Sequence, residues 1–221
     1  MEVIREQPVC HSIYAGETAT PPCGHLSRGG ELLPAIDNLC NLSPTINYYM
    51  KKSFFRETGP NTYREDQGLY YEEFEVGDVF EHRPGRTITD VDNIWFTLLT
   101  MNTQQLHFDQ NYASKTEWKK LLVDSTFTLA VVMGLSVKTL SGKVVANLGW
   151  DKVKLTHPVF AGDTLYAESK ILSKRESAKR PTQGIITAET RGFNQDHQEV
   201  ISFERVFLVY KKGFLPGEEL Y

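Results

Sequence analysis

A histidine and an asparagine lie five positions apart in residues 99–112, which read LTMNTQQLHFDQNY. His107 carries an imidazole, the side chain that most often acts as a general base near neutral pH. Asn102 carries an amide, which can orient water but cannot accept a proton as a base. The segment is too polar for core and follows a predicted helix. We therefore expect the chemistry of this chain to lie here.

Both residues also have structural interpretations. A lone histidine is often a core residue, and Asn tolerates the left-handed conformation that ends helices, so Asn102 could be a helix C-cap. Asp109 follows His107 by two positions and could supply a carboxylate, although a loop Asp usually faces solvent.

The segment resembles the T-G-D-x-N-P-L-H signature of the MaoC-type (R)-specific enoyl-CoA hydratases, in which an Asp and a His five residues later activate water. Thr100, Leu106 and His107 match this signature. Asn102 stands where the family has its Asp, so the shared Asp/His arrangement cannot be transferred intact. The other departures are Met101, Gln104 and Gln105.

Two further segments extend the resemblance. Residues 71–89 read YEEFEVGDVFEHRPGRTIT, similar to the opening strand and loop of the family, and residues 157–165 read HPVFAGDTL, similar to its P-V-x-x-G-D-T-L turn. The match covers roughly residues 70–211. Its LTMNTQQLH variant resembles the subgroup that includes mesaconyl-CoA (2-methylfumaryl-CoA) and itaconyl-CoA hydratase-like proteins.

The resemblance implies a hydro-lyase that adds water to a 2-enoyl-CoA, or removes it from the 3-hydroxyacyl-CoA. His107 would be the base and Asn102 would hold the water. Ser125 matches the position whose backbone N–H, at the start of the central helix, points at the thioester carbonyl, where a helix N-terminus suits an oxyanion. One base that serves twice implies syn addition. Neither a metal nor a redox cofactor is expected, because the thioester itself supplies the acidity, and coenzyme A enters as part of the substrate.

Substrate-binding candidates are cations and one acid. Arg175, Lys179 and Arg180 lie in the run SKRESAKRP and could bind the phosphates of coenzyme A, although charged loops are usually solvated. Arg86 could neutralise a second carboxylate on the acyl group, or else pair with a local acid. Asp124 could lie at the substrate or simply cap a helix.

The surrounding pattern predicts an α+β protein. Thr89 followed by Asp92 resembles a capping box for a helix over about residues 90–101, and Asp124 or Ser125 is a plausible N-cap for a second helix that is apolar nearly all round. Strands are predicted at about 144–155, 164–173, 184–193 and 199–210, with an earlier one near 78–83. A curved antiparallel sheet wrapped around a buried helix is the hotdog fold. Its exposed edge favours a homodimer or higher homo-oligomer.

Residues 1–65 are rich in Pro and Gly and are predicted to form an irregular arm before a hotdog domain at residues 66–221. Cys10, Cys23 and Cys40 suggest no disulfide framework and favour a reducing, cytoplasmic location. With His11 and His25 they lack the paired spacing of a zinc site, so no metal is predicted.

The composition of the chain limits the classes of partner that it is expected to bind. The net charge of -4 argues against a nucleic-acid partner. The longest apolar run, residues 127–135, is far shorter than the ~20 residues that span a bilayer. The predicted partner is therefore an acyl-CoA thioester. Two alternatives stay open at this point, a hotdog acyl-CoA thioesterase and a non-catalytic acyl-CoA-binding protein.

Overall fold

The computed structural model describes residues 54–217, and its largest element is an antiparallel sheet. The strands are β1 (Phe55–Gly59), β2 (Thr62–Glu65), β3 (Val79–Thr87), β4 (Val144–Leu155), β5 (Thr164–Glu176), β6 (Gln183–Phe193) and β7 (Glu199–Tyr210). Strands β1 and β2 form a separate hairpin, and the other five form one sheet in the order β3-β5-β6-β7-β4. Each neighbouring pair is antiparallel.

In the described part of the chain three α-helices accompany the sheet: α1 (Asp90–Leu99), α2 (Gln110–Ala113) and α3 (Ser125–Leu135). Helix α3 buries Phe127, Val131 and Val132 in a core cluster that also contains Leu165 and Phe203 of the sheet. A sheet that packs on one central helix is the predicted hotdog arrangement. Within residues 54–217 no helix is long and apolar enough to cross a membrane.

The predicted strands are confirmed, with shifted ends. Strand β5 continues three residues beyond the predicted 173, to Glu176, and β3 continues to Thr87 instead of ending near 83. Lys174 and Arg175 therefore belong to a strand and not to a loop. Inside the stretch predicted to be an irregular arm, residues 55–65 form the β1–β2 hairpin. Residues 1–53, with the three cysteines and the zinc question, lie outside the described residues, so the arm and its boundary stay predictions.

Helix α1 begins where the sequence predicts. The Thr89 side chain accepts a hydrogen bond from the backbone N–H of Asp92, and the Asp92 side chain accepts one from the backbone N–H of Thr89, which completes the capping box. The C-terminus differs from the prediction, because Met101 and not Asn102 has the left-handed conformation, with φ 60°. The backbone N–H of Asn102 then donates to the carbonyl of Thr97, as in a Schellman motif.

The most deeply buried residues of helix α1 are polar, although the helix carries many apolar residues. Its fully buried residues are Asn93 and Thr97. Four of its large apolar residues are exposed in the single chain, at Val91, Trp95, Leu98 and Leu99. Ile94 is half-buried, and Phe96 packs on Phe127 of α3. A polar helix face therefore points toward the segment that carries His107 and Asp124.

Candidate active site

The imidazole of His107 has one nitrogen bound and one nitrogen free. His107 ends a 3₁₀ turn at Gln105–His107 and is 9% exposed. Its Nδ1 lies 2.8 Å from the carbonyl oxygen of Leu122. Because a carbonyl can only accept, Nδ1 carries the ring proton and Nε2 of the neutral ring keeps a lone pair. Nε2 has no hydrogen-bond partner among the described residues, so it is available to take a proton.

The N-terminus of α3 lies a few residues after Leu122, and Asp124 is its N-cap. The Asp124 carboxylate accepts the backbone N–H groups of Thr126, at 2.7 Å, and Phe127, at 3.1 Å. Burial by itself would raise the pKa of Asp124, but hydrogen bonds from Thr126, Asn102 and Phe127 outweigh it and hold that pKa below its usual value. Asp124 is therefore a buried, ionised cap near neutral pH.

This cap leaves one backbone donor of the first turn unused. The first N–H groups of a helix have no intrahelical acceptor. Asp124 accepts two of these groups, and the N–H of Ser125 finds no acceptor in the part of the chain that the structure describes. Ser125 is exposed, so this N–H can be reached by a ligand. The N–H of Ser125 is therefore both unpaired among the described residues and accessible, and its role as an oxyanion donor stays a prediction.

Asn102 binds Asp124 and not His107. Its Nδ2 donates to the second carboxylate oxygen of Asp124 at 2.5 Å, and its Oδ1 accepts from the backbone N–H of Gln104 at 3.1 Å. Among the described residues it makes no hydrogen bond to the imidazole. The position that carries the family's acid is thus occupied by an amide, which donates a hydrogen bond to the carboxylate of Asp124, the N-cap of α3.

A buried amide, which the sequence pattern does not identify, is hydrogen-bonded to the backbone of His107, Leu122 and Asp124. Asn93 of α1 is 1% exposed. Its Nδ2 donates to the carbonyl oxygens of His107, at 2.9 Å, and Leu122, at 3.1 Å, and its Oδ1 accepts from the backbone N–H of Asp124 at 2.9 Å. A lone Asn in a helix gives no sequence signal of this kind, because its partners are distant backbone groups.

A cavity of about 320 Å³ adjoins Ser125. Its wall combines apolar side chains, among them Trp118, Leu155 and Pro158, with the imidazole of His157. Nδ1 of His157 lies 2.9 Å from the carbonyl oxygen of Glu199, so Nε2 of its neutral ring also keeps a lone pair. In the sequence, His157 stands out only by its position immediately before Pro158, in the HPVFAGDTL turn.

Two other predicted residues have local partners. Arg86 NH2 lies 2.6 Å from Asp92 Oδ1, which is the local pairing foreseen as the alternative to a substrate carboxylate. Arg86 lines a groove beside α3 with Phe127 and Gly134. The Asp109 side chain accepts the backbone N–H of Tyr112 and caps α2, so it does not replace the missing family carboxylate.

The predicted phosphate-binding cations lie at the other end of the sheet. Arg175, Lys179 and Arg180 line a separate groove of about 420 Å³. Arg175 is opposite Ile185, and Ile185 is opposite Leu208 of β7. His157 instead contacts Glu199, at the start of β7. Glu199 and Leu208 are nine positions apart along β7, which is about 30 Å at 3.3 Å per residue. Within one chain the structure does not bring these cations together with His107.

Fold and site together define a protein of the MaoC-like hotdog class. A protein from Mycobacterium tuberculosis with a double hotdog fold aligns over 66% of this chain and 46% of its own, with a TM-score of 0.61 and 21% identity, which supports the fold alone. The family model described as mesaconyl-CoA hydratase matches residues 49–215. The chain therefore belongs to the mesaconyl-CoA hydratase family.

Two curated relatives are similar to the same region. A mesaconyl-CoA hydratase from Cereibacter sphaeroides is 28% identical over 149 residues, which cover 67% of this chain and 43% of the relative. A beta-methylmalyl-CoA dehydratase from Chloroflexus aurantiacus is also 28% identical over 149 residues, covering 67% of this chain and 42% of the relative. The matched region thus spans less than half the length of each of these two relatives.

Proposed function

We propose that this chain catalyses the reversible hydration of a short 2-enoyl-CoA to the 3-hydroxyacyl-CoA. One observation carries the proposal. The His107 ring, whose Nε2 is unpaired among the described residues, is hydrogen-bonded to the carbonyl of Leu122, and the unpaired backbone N–H of Ser125 follows only three residues later. A base and an oxyanion donor are the two groups that water addition to an enoyl thioester needs. The names of the family and of the two relatives, a hydratase and a dehydratase, support the same reaction.

The chemistry can be written with His107 as the only proton carrier. Nε2 takes a proton from water, and the hydroxide oxygen forms a bond to the β-carbon of the substrate. The electrons of the double bond move to the thioester oxygen, where the N–H of Ser125 and the N-terminus of α3 stabilise the enolate. The imidazolium then returns its proton to the α-carbon, and the carbonyl re-forms. Since both transfers occur at one nitrogen, hydrogen and hydroxyl add to the same face.

Acyl-CoA hydrolysis, the first alternative, is less well supported. A hotdog thioesterase normally directs water with an Asp or Glu. The Asp124 carboxylate accepts four hydrogen bonds, from the Asn102 side chain, the Thr126 backbone and hydroxyl, and the Phe127 backbone, and the residue is 2% exposed. Asp109 is used as a cap. Neither carboxylate is free to act on a thioester carbonyl.

For the acyl group we propose a short, branched or dicarboxylic chain, as in mesaconyl-CoA. The names of the relatives support this choice. Arg86 is the candidate counter-ion for a second carboxylate, and a substrate would have to compete with Asp92 for it. Arg86→Gln should then raise KM for mesaconyl-CoA more than for crotonyl-CoA, which has no second carboxylate. Equal changes for both substrates would remove Arg86 from the substrate site.

We also propose that two copies associate through β4. Both β4 and β3 are edges of the five-stranded sheet. Edge β3 contains Pro84 and charged side chains, which disfavour strand pairing, whereas β4 exposes the apolar residues Leu148, Trp150, Val153 and Leu155. The relatives are more than twice as long as the aligned region, and a second copy could take the place of their additional half. Trp150→Lys should reduce the mass measured by light scattering from dimer to monomer, while Val79→Lys on β3 should not.

The reaction is tested with crotonyl-CoA, mesaconyl-CoA and butyryl-CoA, analysed by mass spectrometry and with a thiol reagent. Hydration predicts that the two enoyl-CoAs each gain one water and that butyryl-CoA is unchanged. Release of free thiol from butyryl-CoA would favour the thioesterase. Tight acyl-CoA binding with no product from any substrate would favour a binding protein. An identically purified His107→Ala preparation controls for contaminating hydratases.

A further inference from the structure

We propose that Asn93 is the positioning residue of this site: its buried amide sets the ring orientation of His107 and fixes the first turn of α3 relative to it. This inference rests on the proposed function only for its kinetic consequence. The positional part stands on the contacts of Asn93, which neither the family signature nor the sequence pattern assigns.

The location of Asn93 is unusual for its residue type. Asn is a poor former of helix interiors because its side chain competes for backbone hydrogen bonds. Asn93 nevertheless lies in the second turn of α1 and is 1% exposed. A buried polar side chain must find partners, and those of Asn93 all lie outside its own helix. The partners therefore explain why an amide occupies this position.

Two of the three hydrogen bonds act on His107. The Nδ2 of Asn93 donates to the carbonyl of His107 at 2.9 Å and to the carbonyl of Leu122 at 3.1 Å. The Leu122 carbonyl is also the acceptor for Nδ1 of the His107 ring, at 2.8 Å. Asn93 thus binds both the backbone of His107 and the group that orients its ring. Because that orientation keeps the proton on Nδ1, it also keeps Nε2 unprotonated for catalysis.

The third hydrogen bond acts on the oxyanion donor. The Oδ1 of Asn93 accepts from the backbone N–H of Asp124 at 2.9 Å. Asp124 in turn caps α3 through Thr126 and Phe127, which leaves the N–H of Ser125 free. One amide therefore connects the base to the donor that would stabilise the enolate. A small displacement of either group misaligns the reacting atoms, and such displacements are costly in catalysis.

Thr97 provides a matched control. It is fully buried on the same face of α1, one turn after Asn93, and its hydroxyl donates to the carbonyl of Asn93 within the helix, at 2.7 Å. Thr97→Val removes a buried hydroxyl with little change of shape, yet it leaves the three hydrogen bonds of the Asn93 side chain in place. Both Thr97→Val and Asn93→Ala should therefore lower stability through the loss of a buried polar group. A change in the orientation of the His107 ring should occur only in Asn93→Ala.

The experiment combines ¹⁵N NMR of the His107 ring with kcat and KM. In the parent protein, the neutral ring should be the Nδ1–H tautomer. In Asn93→Ala the ring should populate both tautomers, and kcat should fall about 10- to 100-fold, as for loss of other groups that orient a catalytic side chain, with KM changed less than about threefold. Thr97→Val should keep the parent tautomer and kcat within about twofold. Asn93→Ser, which retains a hydroxyl, should lie between Ala and the parent.

Several results would overturn the proposal. An Nε2–H tautomer in the parent protein would do so directly, and this reading needs no variant to fold. A folded Asn93→Ala or Asn93→Ser protein with the parent tautomer and parent kcat would leave Asn93 with a purely structural role. If the parent turns over no enoyl-CoA, the proposed function fails, and the tautomers of parent and variants still decide whether Asn93 positions His107.

Discussion

His107 and His82 are both withdrawn from solvent, yet their ring nitrogens are used differently. Both nitrogens of His82 are bound: Nδ1 lies 2.6 Å from the Thr139 hydroxyl and Nε2 lies 2.8 Å from the Ser169 hydroxyl. Within residues 54–217 the ring of His107 is hydrogen-bonded through Nδ1 alone. A buried imidazole with both nitrogens hydrogen-bonded contributes to the core, whereas an imidazole with one unpaired nitrogen can accept a proton.

The pKa of His82 agrees with this contrast. Burial, followed by the positive charges of Arg205 and Arg83, lowers the pKa of His82 to about 4. The ring is therefore neutral over the range in which enzymes usually work, and it is fully buried. His82 stabilises the sheet through strands β3 and β5 and has no route to a substrate, although it lies inside one of the segments that resemble the family.

Removal of His107 should have the largest effect on catalysis. His107→Ala should lower kcat by on the order of 10² to 10⁴, as expected for loss of a general base, while the protein stays folded and binds acyl-CoA. The measurement is steady-state hydration with crotonyl-CoA, accompanied by circular dichroism. His82→Gln serves as the control and should keep kcat per folded molecule within about threefold. A large loss of kcat in folded His82→Gln, with kcat retained in His107→Ala, would contradict the comparison.

Acid should destabilise the protein through His82. Because the pKa of His82 is about 4 in the folded state and near 6.5 when unfolded, the unfolded state binds more protons between these values. The free energy of unfolding should therefore fall as the pH decreases from 6.5 to 4, by up to roughly 3 kcal/mol from this group. Chemical denaturation at a series of pH values measures the slope. His82→Gln should flatten it, and the exposed-residue control His197→Asn should not; equal slopes in all three proteins would refute the assignment.

The Asn102–Asp124 pair should tolerate only one charge. In Asn102→Asp, two carboxylates replace a 2.5 Å hydrogen bond to a charged group, which should cost roughly 1.5–3 kcal/mol of unfolding free energy and lower turnover. The double variant Asn102→Asp with Asp124→Asn again has one amide and one carboxylate, so it should recover part of the loss. Thermal unfolding of the two variants and of Asp124→Asn alone measures this coupling. Additive effects would show that the side chains do not depend on each other.

The distant cations should have the smallest effect. The triple variant Arg175→Ala, Lys179→Ala, Arg180→Ala should change KM for a CoA thioester less than about twofold, since these residues lie about 30 Å from the site along β7. Binding measured at two salt concentrations provides the check. A tenfold rise in KM would show that these three residues contribute to substrate binding and would indicate that a second copy brings them to the site.

The sequence predicts the strands and the loop of His107 because these carry strong local signals. Turn-like segments mark the ends of β4 to β7, and Thr89 with Asp92 marks the start of α1. It does not predict which face of α1 is buried, because Trp95 and Leu98 lie on an exposed face in the single chain. Amphipathic periodicity locates a helix but does not identify what covers each side.

The parts of the site that the sequence does not predict depend on long-range contacts. Asn93 acts on backbone groups 14 and 29 residues away. Asn102 is paired with Asp124, which is 22 residues away. No short motif contains both members of such pairs. The same limitation explains the cations of residues 175–180, because a hairpin does not reveal which end of a sheet it occupies.

Hydration in D₂O tests the central claim most directly, because it reports both the reaction and the face on which the proton is delivered. Crotonyl-CoA is incubated with the protein in D₂O, and the relative configuration at the α- and β-carbons of the product is determined by NMR. The single-base mechanism at His107 predicts one deuterium at the α-carbon, on the same face as the new hydroxyl. Deuterium on the opposite face would require a second acid and would contradict the mechanism, and absence of the 3-hydroxyacyl product with both crotonyl-CoA and mesaconyl-CoA would contradict the function itself.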